Sequence, residues 1–329
     1  MMRVVITGAT GFVGGALARA LAGEGVEIGA LVRPASERSR LDGLPVTWIE
    51  GDVTQPQSLR GAFAGVDWVV HAAGMLGRAG VPESAYHRLH AEGTRHVLAE
   101  VASSPGTLPR VLYVSSPGVL GPITGAAADE TAAPAPSNAY ERSKAAAERI
   151  ACDFAQRGLP VVIARPEFIY GPGDRHVLGL FRAVQRGTFF YVGGGHTVCH
   201  PTYIDDAVDG LVRCLQHGRP GEIYHVTGPE PVTFRHLAET IAAVLGVRPP
   251  WLAVPGPIAW LAALALEGLG SLTGKEPPLS RTGVAFFSEN HRFSWQKAYR
   301  ELGYTPQFDL QLGVQKTVSW YRKQGLLWI

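Results

Sequence analysis

The sequence predicts an α/β fold: a doubly wound parallel sheet of about seven strands, followed by a smaller, mostly helical C-terminal region. Three observations predict it. Strand-like and helix-like runs alternate up to about residue 170. The strands are apolar throughout, as in a sheet covered on both faces. A glycine-rich turn, T-G-A-T-G-F-V-G, joins the first strand to the first helix.

Taken in order, R-V-V-I-T-G is short, β-branched and ends in Gly, which marks a strand. G-F-V-G-G-A-L-A-R-A-L-A-G-E-G has Phe12, Leu17 and Leu21 at helical spacing and stops at Gly23 and Gly25. E-I-G-A-L-V-R, V-T-W-I-E-G-D and D-W-V-V-H-A-A-G follow as strands. Y-H-R-L-H-A-E-G-T-R-H-V-L-A-E-V-A-S is a long helix, and R-V-L-Y-V-S-S a fifth strand. S-N-A-Y-E-R-S-K-A-A-A-E-R-I is a helix with Ser137 or Asn138 as its cap. P-V-V-I-A-R-P is a sixth strand and E-I-Y-H-V-T-G a seventh. Beyond residue 170, Pro and Gly become frequent and helices take over. The division expected is a dinucleotide-binding domain over 1–170, with the chain returning over 200–228. A substrate domain takes 171–199 and 229–329.

Composition narrows the function. With 46% hydrophobic and 18% charged residues the chain can bury a large core, and disorder is excluded. Net charge is +2 and no Lys/Arg run stands out, so nucleic acid is not the expected partner. Cys152, Cys199 and Cys214 are scattered, without a CxxC, which fits a reducing cytoplasm. No metal-ligand spacing appears among the histidines, and no metal is expected.

The glycine turn carries the first functional signal. Gly8, Gly11 and Gly14 let backbone N–H groups approach a phosphate, and the helix that follows adds partial positive charge. Tyr140 and Lys144, in Y-E-R-S-K, carry the second. They lie one helical turn apart on one face, at the carboxyl edge of the sheet. A free Tyr has a pKa of about 10, and a neighbouring cation is expected to lower it.

These motifs in this order resemble the short-chain dehydrogenase/reductase superfamily. They are T-G-x-x-G-x-x-G, H-A-A-G after the fourth strand, S-S after the fifth and Y-x-x-x-K on the next helix. R-P-E-F-I-Y-G-P-G and I-D-D resemble its extended, epimerase/dehydratase branch. The resemblance spans essentially the whole chain. It implies a Rossmann-type domain and a nicotinamide cofactor held by Gly8, Thr10, Gly11, Phe12, Val13 and Gly14. Asp52 and Val53 would lie at adenine, and Ala72, Ala73 and Gly74 beside its ribose. Pro166 and Glu167 would also contact the cofactor. Arg33, at the end of the second strand, would meet a 2′-phosphate and favour NADP over NAD, with Arg38 and Arg40 assisting. It further implies that Ser116 orients a carbonyl, Tyr140 moves a proton and Lys144 holds the nicotinamide ribose. A departure is His90 in H-A-E-G-T, where many relatives have Asn; a core or surface His is the expectation there.

The substrate is expected to be hydrophobic. Relatives that act on nucleotide-sugars have an Asn where this chain has Phe168, and an Arg where it has Cys199. Losing two anion contacts disfavours a diphosphate substrate. The tail R-F-S-W-Q-K-A-Y-R-E-L-G-Y-T-P is similar to bacterial 3β-hydroxysteroid dehydrogenase-like proteins, and Arg33 stands where dihydroflavonol-reductase-type proteins carry an Arg. Phe189, Phe190, Trp260, Phe286 and Phe287 could line an apolar pocket. The expected reaction interconverts a secondary alcohol and a ketone on a sterol-like or long-chain molecule. The alternatives are a nucleotide-sugar epimerase or dehydratase with retained NAD, and a non-catalytic, membrane-associated NADP-binding sensor or scaffold. The apolar segment Pro249–Gly274 is too short to span a membrane. It reads first as a buried or lid helix, and second as a peripheral membrane contact through 251–272. A homodimer is the expected assembly.

Overall fold

The computed structural model describes residues 1–78, 80–273 and 279–328; the Gly274 end of the apolar segment lies outside them. Six strands form in the first half: β1 Arg3–Thr7, β2 Glu27–Val32, β3 Val46–Glu50, β4 Trp68–His71, β5 Arg110–Val114 and β6 Val161–Pro166. The strand Ile223–Val226 returns to pair with β6. The sheet order is Ile223–Val226, β6, β5, β4, β1, β2, β3, and every pairing is parallel. The order reverses direction between β1 and β4. Ligands of such sheets bind outside the strands' carboxyl ends at this switch point.

The period of two along β1 divides the core. Val4 and Ile6 face one layer with Leu17, Leu21, Leu211 and Leu215. Val5 faces the other with Val69, Leu98, Val101, Ala147 and Ala151. Helices α1 (Phe12–Gly23), α2 (Glu83–His87), α3 (Gly93–Ser103) and α4 (Ala139–Gln156) supply most of this cover in the first half. The long helix expected before β5 is interrupted. A π-turn, Arg88–Glu92, joins α2 to α3. Asn138 caps α4, its side chain accepting from the Glu141 N–H, while Glu141 reaches back to Ser137.

The C-terminal region contains α5 (Leu178–Gln185), α6 (Ile204–His217), α7 (Phe234–Leu245), α8 (Gly256–Thr273), α9 (Arg281–Ser288), α10 (Gln296–Leu302) and α11 (Leu310–Lys323). Pairs of two-residue strands, such as Ile169–Tyr170 with Thr202–Tyr203, tie its loops. Helix α8 is a surface helix, which corrects the buried reading. Ala259 and Ala263 face inward, whereas Ile258, Leu261 and Leu269 are each more than half exposed. Among the described residues no helix is long and apolar enough to cross a membrane.

Candidate active site

The glycine turn forms directly at the switch point. Gly8 has φ +76°, and a Cβ there would lie 2.6 Å from the Ala72 carbonyl oxygen. A Cβ on Gly14 would lie 2.3 Å from the Gly8 oxygen. Glycine is therefore required where the turn, the wall after β4 and the start of α1 meet. Gly11 caps α1 and offers no side chain, so the first N–H groups of the helix are left to a ligand. A dinucleotide's phosphates fit this cradle.

The wall after β4 is held from beneath. The Ala72 and Ala73 N–H groups donate to Thr7 O and Oγ1 at 3.1 and 3.2 Å. His71 bridges Thr7 Oγ1 at 2.7 Å and Thr94 Oγ1 at 3.0 Å. Burial lowers its pKa to about 3, so it stays neutral. His71 lies within H-A-A-G, but its supporting role depends on Thr7 and Thr94, 64 and 23 residues away. Asp52 spends one carboxylate oxygen on Thr54, accepting from its N–H and Oγ1 at 2.8 Å each. Val53 is buried.

The arginines divide. Arg33 lies exposed just past β2, its N–H donating to Ser36 Oγ. Arg38 stacks on Trp48 at 4.8 Å. Arg40 instead crosses the start of α1. Its Cβ is 3.5 Å from where a Gly15 side chain would begin, and its Nη1 is 3.2 Å from that point at Gly173. The structure thus sets Arg40, named above only as an assistant, beside the glycine turn.

Helix α4 meets the end of β5 at two successive residues. Lys144 Nζ donates to the Val114 carbonyl at 2.7 Å. Ser115 Oγ donates to Glu148 at 2.7 Å. Ser116 follows, its Oγ accepting from the Gly118 N–H at 3.2 Å. Tyr140 and Lys144 thus stand one turn apart on α4, with Ser116 just past the end of β5. The expected drop in the tyrosine pKa does not appear in the protein alone. Burial pushes Tyr140 up to about 12, and Glu167, Glu141 and Tyr86 add to this, against the pull of Ser116. Lys144 turns its ammonium to the Val114 carbonyl and over the Tyr113 ring, and its own burial lowers it to about 8.

Behind α4 lies a buried ion pair. Arg165 Nε donates to Glu148 Oε2 at 3.0 Å, its Nη2 to Oε1, and its Nη1 contacts His225 Nε2 at 3.3 Å. Glu148 could not be singled out from sequence, because its role depends on a partner 17 residues away. Pro166 ends β6 buried, and Glu167 follows at 6% exposure. Burial, with Glu141 nearby, raises Glu167 to about 8.

The apolar side is built on Phe168. It is the one non-glycine residue at positive φ (+32°) among the described residues. Such a backbone costs on the order of 1–3 kcal/mol and persists where the surroundings impose it. Its ring meets Phe286 edge-on at 5.3 Å, and Phe286 and Phe287 both meet Phe234. Phe189 packs on Phe287, and Phe190 on the small cluster of Val192, Ala259, Ala263 and Val284. Trp260 does not join them; it is 44% exposed. Cys199 is fully buried. Two surface concavities elsewhere, beside Val244 and Arg322 and beside Glu130 and Lys297, share no residue with this set. Among the described residues no cluster of His, Cys, Asp or Glu could hold a metal.

The model of the NAD dependent epimerase/dehydratase family matches residues 4–227. A 2-alkyl-3-oxoalkanoate reductase of Stenotrophomonas maltophilia is 31% identical, over 96% of this chain and 98% of its own. Sterol demethylase protein B of Methylococcus capsulatus is 29% identical, over 99% and 100%. The crystal structure of gox2253 matches with TM-score 0.84 at 29% identity, covering 99% of this chain and 100% of that one. DesIV, a dTDP-glucose 4,6-dehydratase of Streptomyces venezuelae with NAD and TYD bound, matches with TM-score 0.79 at 26% identity, covering 98% and 97%.

Proposed function

The chain belongs to the NAD dependent epimerase/dehydratase family, and we propose that it reduces a ketone on a hydrophobic, long-chain or sterol-like substrate. The observation that carries the reading is the pair Phe168 and Cys199. A diphosphate-bearing sugar needs polar partners at these positions; here one is a ring packed on Phe286 and the other a buried thiol. The relatives named for 3-oxoalkanoate and sterol chemistry point the same way. The nucleotide-sugar reading keeps the support of the DesIV likeness.

A bound nicotinamide supplies the hydride. The protein's own residues do the rest. The Ser116 hydroxyl holds the substrate carbonyl. The Tyr140 phenol would give its proton to that carbonyl oxygen, leaving a phenolate on the tyrosine and a hydroxyl on the product. A phenol pushed up to about 12 retains that proton at neutral pH, which suits the reductive direction. Lys144, on the same face, would hold the ribose and, with the cofactor in place, ease the phenolate that forms. Arg40 and Arg33 favour NADP.

The test titrates NADPH and NADH separately against wild type, Arg33→Asp and Arg40→Ala, then follows NADPH consumption with 3-oxo esters of increasing chain length. NADPH preference lost in the arginine variants, with turnover rising along the series, is expected. NAD that co-purifies and cannot be titrated, with no turnover of any ester, would restore the nucleotide-sugar reading.

A further inference from the structure

We propose that His90 is a positioning residue that couples the cofactor-side wall at Gly74–Met75 to the first turn of α4, where Tyr140 sits. The inference rests on the nicotinamide-dependent reading of the site, but its evidence is separate. His90 is 2% exposed and Ser143 3%. The Met75 N–H donates to His90 Nε2 at 3.1 Å. His90 Nδ1 lies 2.8 Å from Ser143 Oγ. Ser143 Oγ donates to the Tyr140 carbonyl at 2.6 Å.

The proton positions follow from these partners. A backbone N–H can only donate, so Nε2 must be bare and the ring proton sits on Nδ1. Nδ1–H then donates to Ser143, whose own proton is committed to the Tyr140 carbonyl. The three bonds run in one direction, from wall to helix. A protonated ring would turn a second N–H against Met75; burial excludes this by lowering the pKa to about 3. The chain of bonds is therefore unchanged across the neutral range.

Packing reinforces it. The His90 ring stands edge-on to Tyr140 at 5.6 Å and 81°, and Tyr86 closes on both at 6.0 and 6.2 Å. On the wall side, a side chain on Gly74 would begin 3.2 Å from Nε2. The ring reaches both sides because it lies in the π-turn Arg88–Glu92, where one extra residue per turn changes the direction of the side chain. A displacement of the wall is thus passed to Tyr140 through a rigid ring. Small displacements of a proton donor matter: about 1 Å can cost on the order of 100-fold in rate.

The full chain is tested as wild type, His90→Phe, His90→Asn and Ser143→Ala. NADPH affinity is measured by titration, and kcat and KM with a long-chain 3-oxo ester. Phe keeps the ring contact and removes both bonds. It should weaken NADPH binding and lower kcat, each by about 10-fold. Asn can accept at one end and donate at the other, and should restore both to within about 3-fold of wild type. Ser143→Ala breaks only the helix end, so it should lower kcat while NADPH affinity stays within about 2-fold. A merely structural role would instead reduce the active fraction and leave NADPH affinity and KM alone. His90→Phe matching wild type in both affinity and kcat overturns the inference. If that variant does not fold, Ser143→Ala with unchanged kcat overturns it. Wild type that binds neither NADPH nor NADH removes the cofactor reading and this inference together.

Discussion

The strip beneath the sheet's carboxyl edge and the outer face of α8 follow opposite rules. In the strip, polar and charged groups are buried: His71 between two threonines, and Arg165 on Glu148 with His225 behind. On α8, large apolar side chains stand in water and alanines face the protein. The first region pairs most of its buried polar groups with hydrogen bonds, although His225 Nδ1 and the Tyr113 hydroxyl are left without one. The second shows that packing a helix closely can require small inward residues whatever its outer face carries. Hydrophobicity alone would misplace both.

Four experiments probe that contrast. Glu148→Ala leaves Arg165 buried with an uncompensated charge and should cost about 3–5 kcal/mol in chemical denaturation. A cost below that of an average surface change would show the strip to be less dry than described. Ala263, fully buried, should tolerate enlargement poorly. Ala263→Leu is expected to cost about 1–3 kcal/mol by overpacking; no loss would mean that α8 sits loosely.

Glu167 gives a pH signature. Its folded-state value of about 8 lies above its ordinary 4.5, so the folded protein keeps a proton that the unfolded chain releases. The stability this provides is complete below about pH 4.5 and is lost as pH rises through about 8. Glu167→Gln should therefore gain on wild type between those values, seen as a widening difference in Tm. A constant difference would place the carboxyl in water. The smallest effect is expected at Leu261, 61% exposed, where Leu261→Ser should change stability by no more than about 0.5 kcal/mol.

These two regions also mark what the sequence could convey. The parallel sheet was legible because most of its strands are short apolar runs with Gly, Pro or polar residues at their ends; edge strand β3, interrupted by Thr47, is the exception. The glycine turn was legible because Gly8 and Gly14 have no substitute where backbones meet. The π-turn was not, since one inserted residue barely disturbs helical spacing over a 20-residue window. Nor was the direction of Lys144, which depends on a carbonyl 30 residues away. Segment 257–266 is apolar on all sides, so periodicity assigned no inward face. The two-residue strands of the C-terminal region are shorter than any pattern can register.

The meeting of α4 with β5 has a consequence for tolerance to change. Residues 140, 144 and 148 form one stripe, and Lys144 and Glu148 are bound to Val114 and Ser115. The angular setting of the helix is therefore fixed by its two ends of contact, independently of the length of chain between them. Insertions or deletions in the exposed part of that connection, around residues 124–127, should leave the stripe in register. A single residue added within the helix between 140 and 148 would turn it by about 100° and break contacts on one side of the insertion. Evolution is thus free to lengthen the loop and constrained to preserve the count within the helix.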